Sequence, residues 1–135
     1  MIVTPGLFAP ESYRKATADL VNEIVNGCGA GNARFDFVPD TILGLSISEC
    51  CNVHDWMYSF GSNLEDKKQA DRVMLNNCLR VIEKKGGWLK SWRRIRAREY
   101  YLAVKSFGGP AYWEGKEGGP VEPKVFPDEY NWAEH

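Results

Sequence analysis

The sequence contains no long apolar run: nothing in it approaches the roughly 18 apolar residues that a membrane-spanning helix needs. It has no excess of charge either. Lys and Arg number 17 against 18 Asp and Glu, a net charge of −1, so there is no global electrostatic argument for nucleic acid. The first ten residues, Met1 to Pro10, carry no basic leader and are cut by Pro5 and Pro10, so they do not read as a signal peptide. The chain is then cytosolic, leaves by another route, or is a mature form given a start methionine. Histidine is scarce, with two residues, and so is cysteine, with four. With so few, where each one falls is informative.

What is present fits one domain spanning 1–135, with a helical core over about 11–107 and an irregular tail over 108–135. Its aromatic content of 13% and charged content of 26% are those of an ordinary globular protein. Thr4 to Pro10 should be an extended arm. Glu11 to Asn26 reads as a first helix, with Tyr13, Ala16, Leu20 and Ile24 as its stripe, widened by Val21 and Val25. The chain then enters Gly27-Cys28-Gly29-Ala30-Gly31-Asn32, where alternate glycines permit sharp turns and a close approach of carbonyls to a ligand. Ala33 to Leu45 reads as an apolar loop that packs down.

Ser48-Glu49-Cys50-Cys51-Asn52-Val53-His54-Asp55-Trp56-Met57-Tyr58 organises the chain. Ile47, Cys50, His54 and Met57 follow the spacing of one apolar helix face, with Ser46 or Ser48 as cap and an end near Phe60. Asp55 sits about 100° round the helix from His54, so both can edge one cleft. After the tight Gly61-Ser62-Asn63 connection, a helix over Leu64 to Lys85 carries Ala70, Met74, Cys78, Val81 and Ile82 inward and ends at Gly86-Gly87. An aspartate beside a buried face needs a partner. Helices joined by so short a turn are antiparallel neighbours, and this register brings His54 onto Asp71 and Cys50 onto Cys78. A Cys50–Cys51 bridge is disfavoured, since adjacent Cα atoms lie about 3.8 Å apart. The cysteines are either bridged as Cys50–Cys78 with Cys28–Cys51, or all free in a reducing compartment.

Cys50-Cys51-Asn52-Val53-His54-Asp55-Trp56-Met57-Tyr58 resembles the active-site helix of the secreted phospholipase A2 superfamily, Cys-Cys-x-x-His-Asp-x-x-Tyr. The glycine loop is similar to that family's calcium loop, and Asp71 matches its second aspartate; together these cover about Gly27 to Cys78. The resemblance implies an all-α small domain built on two antiparallel, disulfide-linked helices, with additional packed helices and long irregular segments. It implies calcium-dependent hydrolysis of the sn-2 ester of glycerophospholipids. His54 would be the general base on water, Asp71 its orienter, Tyr58 a donor to Asp71, and the Gly29 N–H an oxyanion donor. Calcium would be held by Asp55 and the carbonyls of Gly27, Gly29 and Gly31, an all-oxygen set that suits this hard cation. The disulfides Cys28–Cys51 and Cys50–Cys78 and delivery outside the cytoplasm, by a route not visible in the sequence, follow from the same likeness.

The chain departs from the family where Met57 and Ala70 replace a paired set of cysteines. Gly61 to Asn63 leaves no room for the β-hairpin of the animal enzymes, which points to the compact bacterial, fungal or viral forms. The second tyrosine that often supports the aspartate has Tyr100, Tyr101 and Tyr112 as candidates. Trp88 to Phe107 reads as a fourth helix with Trp88, Trp92, Ile95 and Leu102 inward and Gly108-Gly109-Pro110 ending it. Its Lys90, Arg93, Arg94, Arg96 and Arg98 either seat the protein on an anionic phospholipid surface or form a solvated face. The tail from Ala111, with Tyr112, Trp113, Phe126, Tyr130 and Trp132, should wrap the domain irregularly. Two rival functions are a structural zinc module using Cys28, Cys50, Cys51 and Cys78, or His54 in place of one, and a catalytically silent phospholipase-like binding module.

Overall fold

The computed structural model describes residues 6–25 and 40–113. The described chain is mostly helical, as expected. Helices α1 (Glu11–Lys15) and α2 (Ala18–Ile24) precede a minimal antiparallel pair, β1 (Thr41–Ile42) and β2 (Leu45–Ser46); α3 (Ser48–Phe60), α4 (Leu64–Lys85), α5 (Lys90–Phe107) and α6 (Gly109–Trp113) follow. The main packing is α3 on α4 and α4 on α5.

The single first helix of the sequence reading is two helices. Ala16 turns extended, and Thr17 becomes the N-cap of α2, its hydroxyl accepting from the Leu20 N–H at 3.2 Å. A threonine free to bond the backbone locally prefers such a cap to a helix interior. The break turns Leu20 outward while Tyr13, Ala16 and Val21 stay buried. Trp56 fastens α1 to α3, its indole N–H donating to Ser12 Oγ at 3.0 Å and its ring meeting Tyr13 edge-on. Ahead of α1, Phe8 exchanges two 2.8 Å hydrogen bonds with the side chain of Asn77, which pins the N-terminal arm to α4.

The turn between β1 and β2 places Leu43 and Gly44 at φ of 47° and 83°, the left-handed pair that a two-residue hairpin requires. The cap of α3 is Ile47, without a side-chain bond, in place of Ser46 or Ser48. The next helix matches its expected bounds, Leu64 to Lys85, and is well capped at its start. Asn63 accepts from Asp66 N at 2.9 Å, and Asp66 Oδ2 accepts from Ser62 N at 2.9 Å, a reciprocal cap that fixes the angle at which α4 leaves the turn. Met57 and Ala70, which replace the family's cysteines, are both fully buried.

The largest correction concerns α5. Its inward residues are Arg93, Ala97 and Val104, whereas Trp88, Trp92, Ile95 and Leu102 face outward, Trp88 being 86% and Trp92 62% exposed. Arg93 sets the facing. Its guanidinium donates to the carbonyls of Ile42 at 3.2 Å and Leu43 at 2.8 Å, satisfying the β1–β2 turn. Arg93 is therefore no lipid contact. The helix ends at Phe107 with Gly108 as its C-cap, as expected, but the segment expected to be an irregular tail from 108 begins with a short helix, α6, to Trp113.

Candidate active site

His54 and Tyr58 lie four residues apart on α3, and Lys67 and Asp71 lie four apart on α4, so each pair shares one helix face. The antiparallel packing sets the two faces against each other. Asp71 Oδ1 accepts from His54 Nε2 at 2.8 Å and from the Tyr58 hydroxyl at 2.6 Å; Asp71 Oδ2 accepts from Lys67 Nζ at 2.9 Å. All four side chains are buried. The His54 and Tyr58 rings lie 4.1 Å apart between centroids, and Tyr112 meets Tyr58 edge-on at 4.9 Å.

Burial alone would raise the Asp71 pKa. The hydrogen bond and charge of His54, with the bonds from Tyr58 and Lys67, outweigh it and hold the carboxyl below its ordinary value. Asp71 is then an acceptor only, so His54 Nε2 carries a proton and Nδ1 is the basic nitrogen. The Tyr58 phenol is pushed far up, by burial and then by the Asp71 charge. It stays protonated and donates. The cluster therefore combines an imidazole, a carboxylate that fixes its tautomer, and two donors that fix the carboxylate.

Asp55, one residue beyond His54, is 0% exposed. Its carboxylate is the hard oxygen donor that calcium requires, so the one expected ligand among the described residues fits the ion chemically. The other three, Gly27, Gly29 and Gly31, lie outside the described residues, as does the oxyanion role of Gly29. Among the described residues no group of three or more His, Cys, Asp or Glu could hold a metal by itself; Cys28, which the zinc reading needs, lies outside them.

Cys50 and Cys78 are neighbours, as the register required, but they are free, buried thiols. The expected bridge between them is not formed. The proximity of the Cys78 thiol, followed by burial, raises the Cys50 pKa well above its ordinary value. Cys51 is disulfide-bonded; Cys28, the partner expected for it, lies outside the described residues.

None of the tyrosine candidates supports Asp71. Tyr112 donates to Asn63 O at 2.6 Å instead, and the second donor to Asp71 is Lys67. The sequence carried a signal for it: Lys67 interrupts the apolar stripe of α4 in register with Ala70, Met74 and Cys78, at the i, i+4 spacing of an ion pair with Asp71. Tested against models of protein families, curated proteins and solved structures, the chain matches none of them.

Proposed function

We propose that the protein is a calcium-dependent phospholipase A2-like hydrolase that cleaves the sn-2 ester of glycerophospholipids to a fatty acid and a lysophospholipid. The observation that carries this reading is the buried 2.8 Å hydrogen bond from His54 Nε2 to Asp71 Oδ1. It fixes the direction of the imidazole, so that Nδ1 would be the nitrogen that takes a proton from a nucleophile. Here the nucleophile is water. His54 removes its proton as it attacks the ester carbonyl and returns that proton to the departing glycerol oxygen. Asp71 keeps the ring oriented and stabilises the imidazolium, and Tyr58 keeps Asp71 in place.

Asp55, with the carbonyls of Gly27, Gly29 and Gly31, would hold calcium. Bound there, the ion supplies an anchor for the substrate phosphate and a Lewis acid at the oxyanion, beside the Gly29 N–H. The partner is a phospholipid surface. The outward apolar residues of α5, flanked by Arg96, Arg98 and Lys105, support contact with an anionic leaflet, since tryptophan beside basic side chains suits the headgroup boundary.

The experiment is fatty-acid release from phosphatidylglycerol vesicles labelled at the sn-2 chain, with calcium and with chelator. Labelled fatty acid released only with calcium is the expected result. Release of the sn-1 chain, or none at all, refutes the proposal.

A further inference from the structure

Lys67 is only 5% exposed, although it carries a charge. Lysine is almost never so buried unless it is paired. Its ammonium has three protons to donate, and the structure provides three acceptors: Asp71 Oδ2 at 2.9 Å, the Val104 carbonyl at 3.2 Å and the Lys105 carbonyl at 3.4 Å. The two carbonyls belong to the last turn of α5, where the helix dipole is negative; the Val104 carbonyl also accepts from the Gly108 N–H at 2.8 Å and offers Lys67 its second lone pair. One cation therefore bridges the Asp71 carboxylate and the end of a third helix.

Without that bridge Asp71 would be held from one side only, by His54 and Tyr58, which both reach Oδ1. A carboxylate gripped at one oxygen can pivot about it. We propose that Lys67 is a positioning residue of the hydrolytic centre: anchored on the C-terminus of α5, it holds Asp71 Oδ2 so that Oδ1 stays aimed at His54. The assignment rests on His54 and Asp71 acting as base and orienter. It gives α5 a second role besides its outward face, because the end of that helix becomes part of what aligns the base. It also explains how the site functions with no second tyrosine on Asp71, since a tyrosine would take the free oxygen without engaging the end of α5.

The test uses Lys67→Met, which keeps the stem and removes the ammonium, and Lys67→Gln, whose amide can still donate to carbonyls without a charge. Two readouts are taken on the full chain. One is the NMR resonance of the His54 Nε2–H, assigned by its loss in His54→Ala; the other is kcat and KM for fatty-acid release from phosphatidylglycerol vesicles with calcium. In both variants the ring proton should shift and broaden. The kcat should fall about 10- to 100-fold, the scale typical of groups that orient a catalytic ligand, with KM little changed. If Lys67→Met does not fold, Lys67→Gln decides by the same readouts. A folded variant with native kcat overturns the proposal and leaves Lys67 as a cap on α5. A native protein that releases no fatty acid fails the hydrolase reading instead, and the ring proton then decides alone whether Lys67 positions Asp71: a native resonance in a folded variant overturns it.

Discussion

The α3–α4 seam and α5 were built from the same kind of sequence signal and answered it differently. In the seam, His54 and Asp71 meet where an antiparallel register about Gly61–Asn63 puts them. On α5, the stripe that periodicity assigned to the core lies on the surface. The difference lies in what each helix has to satisfy. A histidine and an aspartate on facing helices have few ways to be buried without each other, so their register is over-determined. Helix α5 turns its more apolar stripe outward, and its facing is set by Arg93, whose donors fit the carbonyls of the β1–β2 turn. A periodic stripe locates a helix; a buried polar group determines its rotation.

The sharpest way to break the seam is Asp71→Ala. It strands the Lys67 ammonium and the Tyr58 hydroxyl in the interior, and removing one partner from a buried ion pair typically costs about 3–5 kcal/mol. Urea unfolding should show a loss of that size, and a cost under 1 kcal/mol would mean that the network is solvated.

Gly108→Ala strikes the same network from α5. A Cβ there would come within 2.7 Å of the Tyr58 hydroxyl and would also press on the Val104 carbonyl. Crowding of this kind usually costs about 1–3 kcal/mol, so the melting temperature should fall and hydrolysis with it, as Tyr58 is pushed from Asp71.

Acid should weaken the seam in a defined direction. The Asp71 pKa is lowered in the folded protein, so its contribution is fully present above the ordinary aspartate value of about 3.9 and is lost as pH falls through that value toward the lower folded one. Urea midpoints measured from pH 6 downward should show this loss, and Asp71→Asn should remove it. An unchanged acid limb in Asp71→Asn would assign the loss to other carboxylates.

The outward face of α5 should be almost silent in stability. Trp88→Ser with Trp92→Ser should change unfolding by no more than about 0.5 kcal/mol each, as surface substitutions usually do, while weakening vesicle binding. Binding by the native protein should rise with anionic lipid and fall as salt screens the contact. A large stability loss would return the stripe to the core, and binding that ignores salt would remove the basic residues from the contact.

The bounds of α4, the antiparallel pair and the contacts His54–Asp71 and Cys50–Cys78 could all be read in the sequence, because each follows from spacing about one short turn; the Tyr58–Asp71 bond was expected only from the family resemblance. The break at Thr17 could not, since Tyr13 to Val25 keeps a helical stripe straight through it and only a side-chain cap interrupts the backbone. Lys67 left a mark in the sequence, a lysine in register with the apolar stripe of α4, but that mark does not show its burial. Lysine is ordinarily a surface residue, and its burial depends on the end of α5 arriving beside it, a contact 37 residues away along the chain. The state of Cys50 and Cys78 is likewise not in the spacing: proximity permits a bridge without requiring one.

The most direct test of the central claim compares the native protein with His54→Ala and Asp55→Ala, measuring fatty-acid release beside calcium titration calorimetry. The account predicts that His54→Ala loses hydrolysis and keeps calcium binding. It predicts that Asp55→Ala loses both, with a rate loss of at least about 10²–10³, the scale of a missing oxyanion stabiliser. Calcium-dependent hydrolysis persisting in either variant would contradict it.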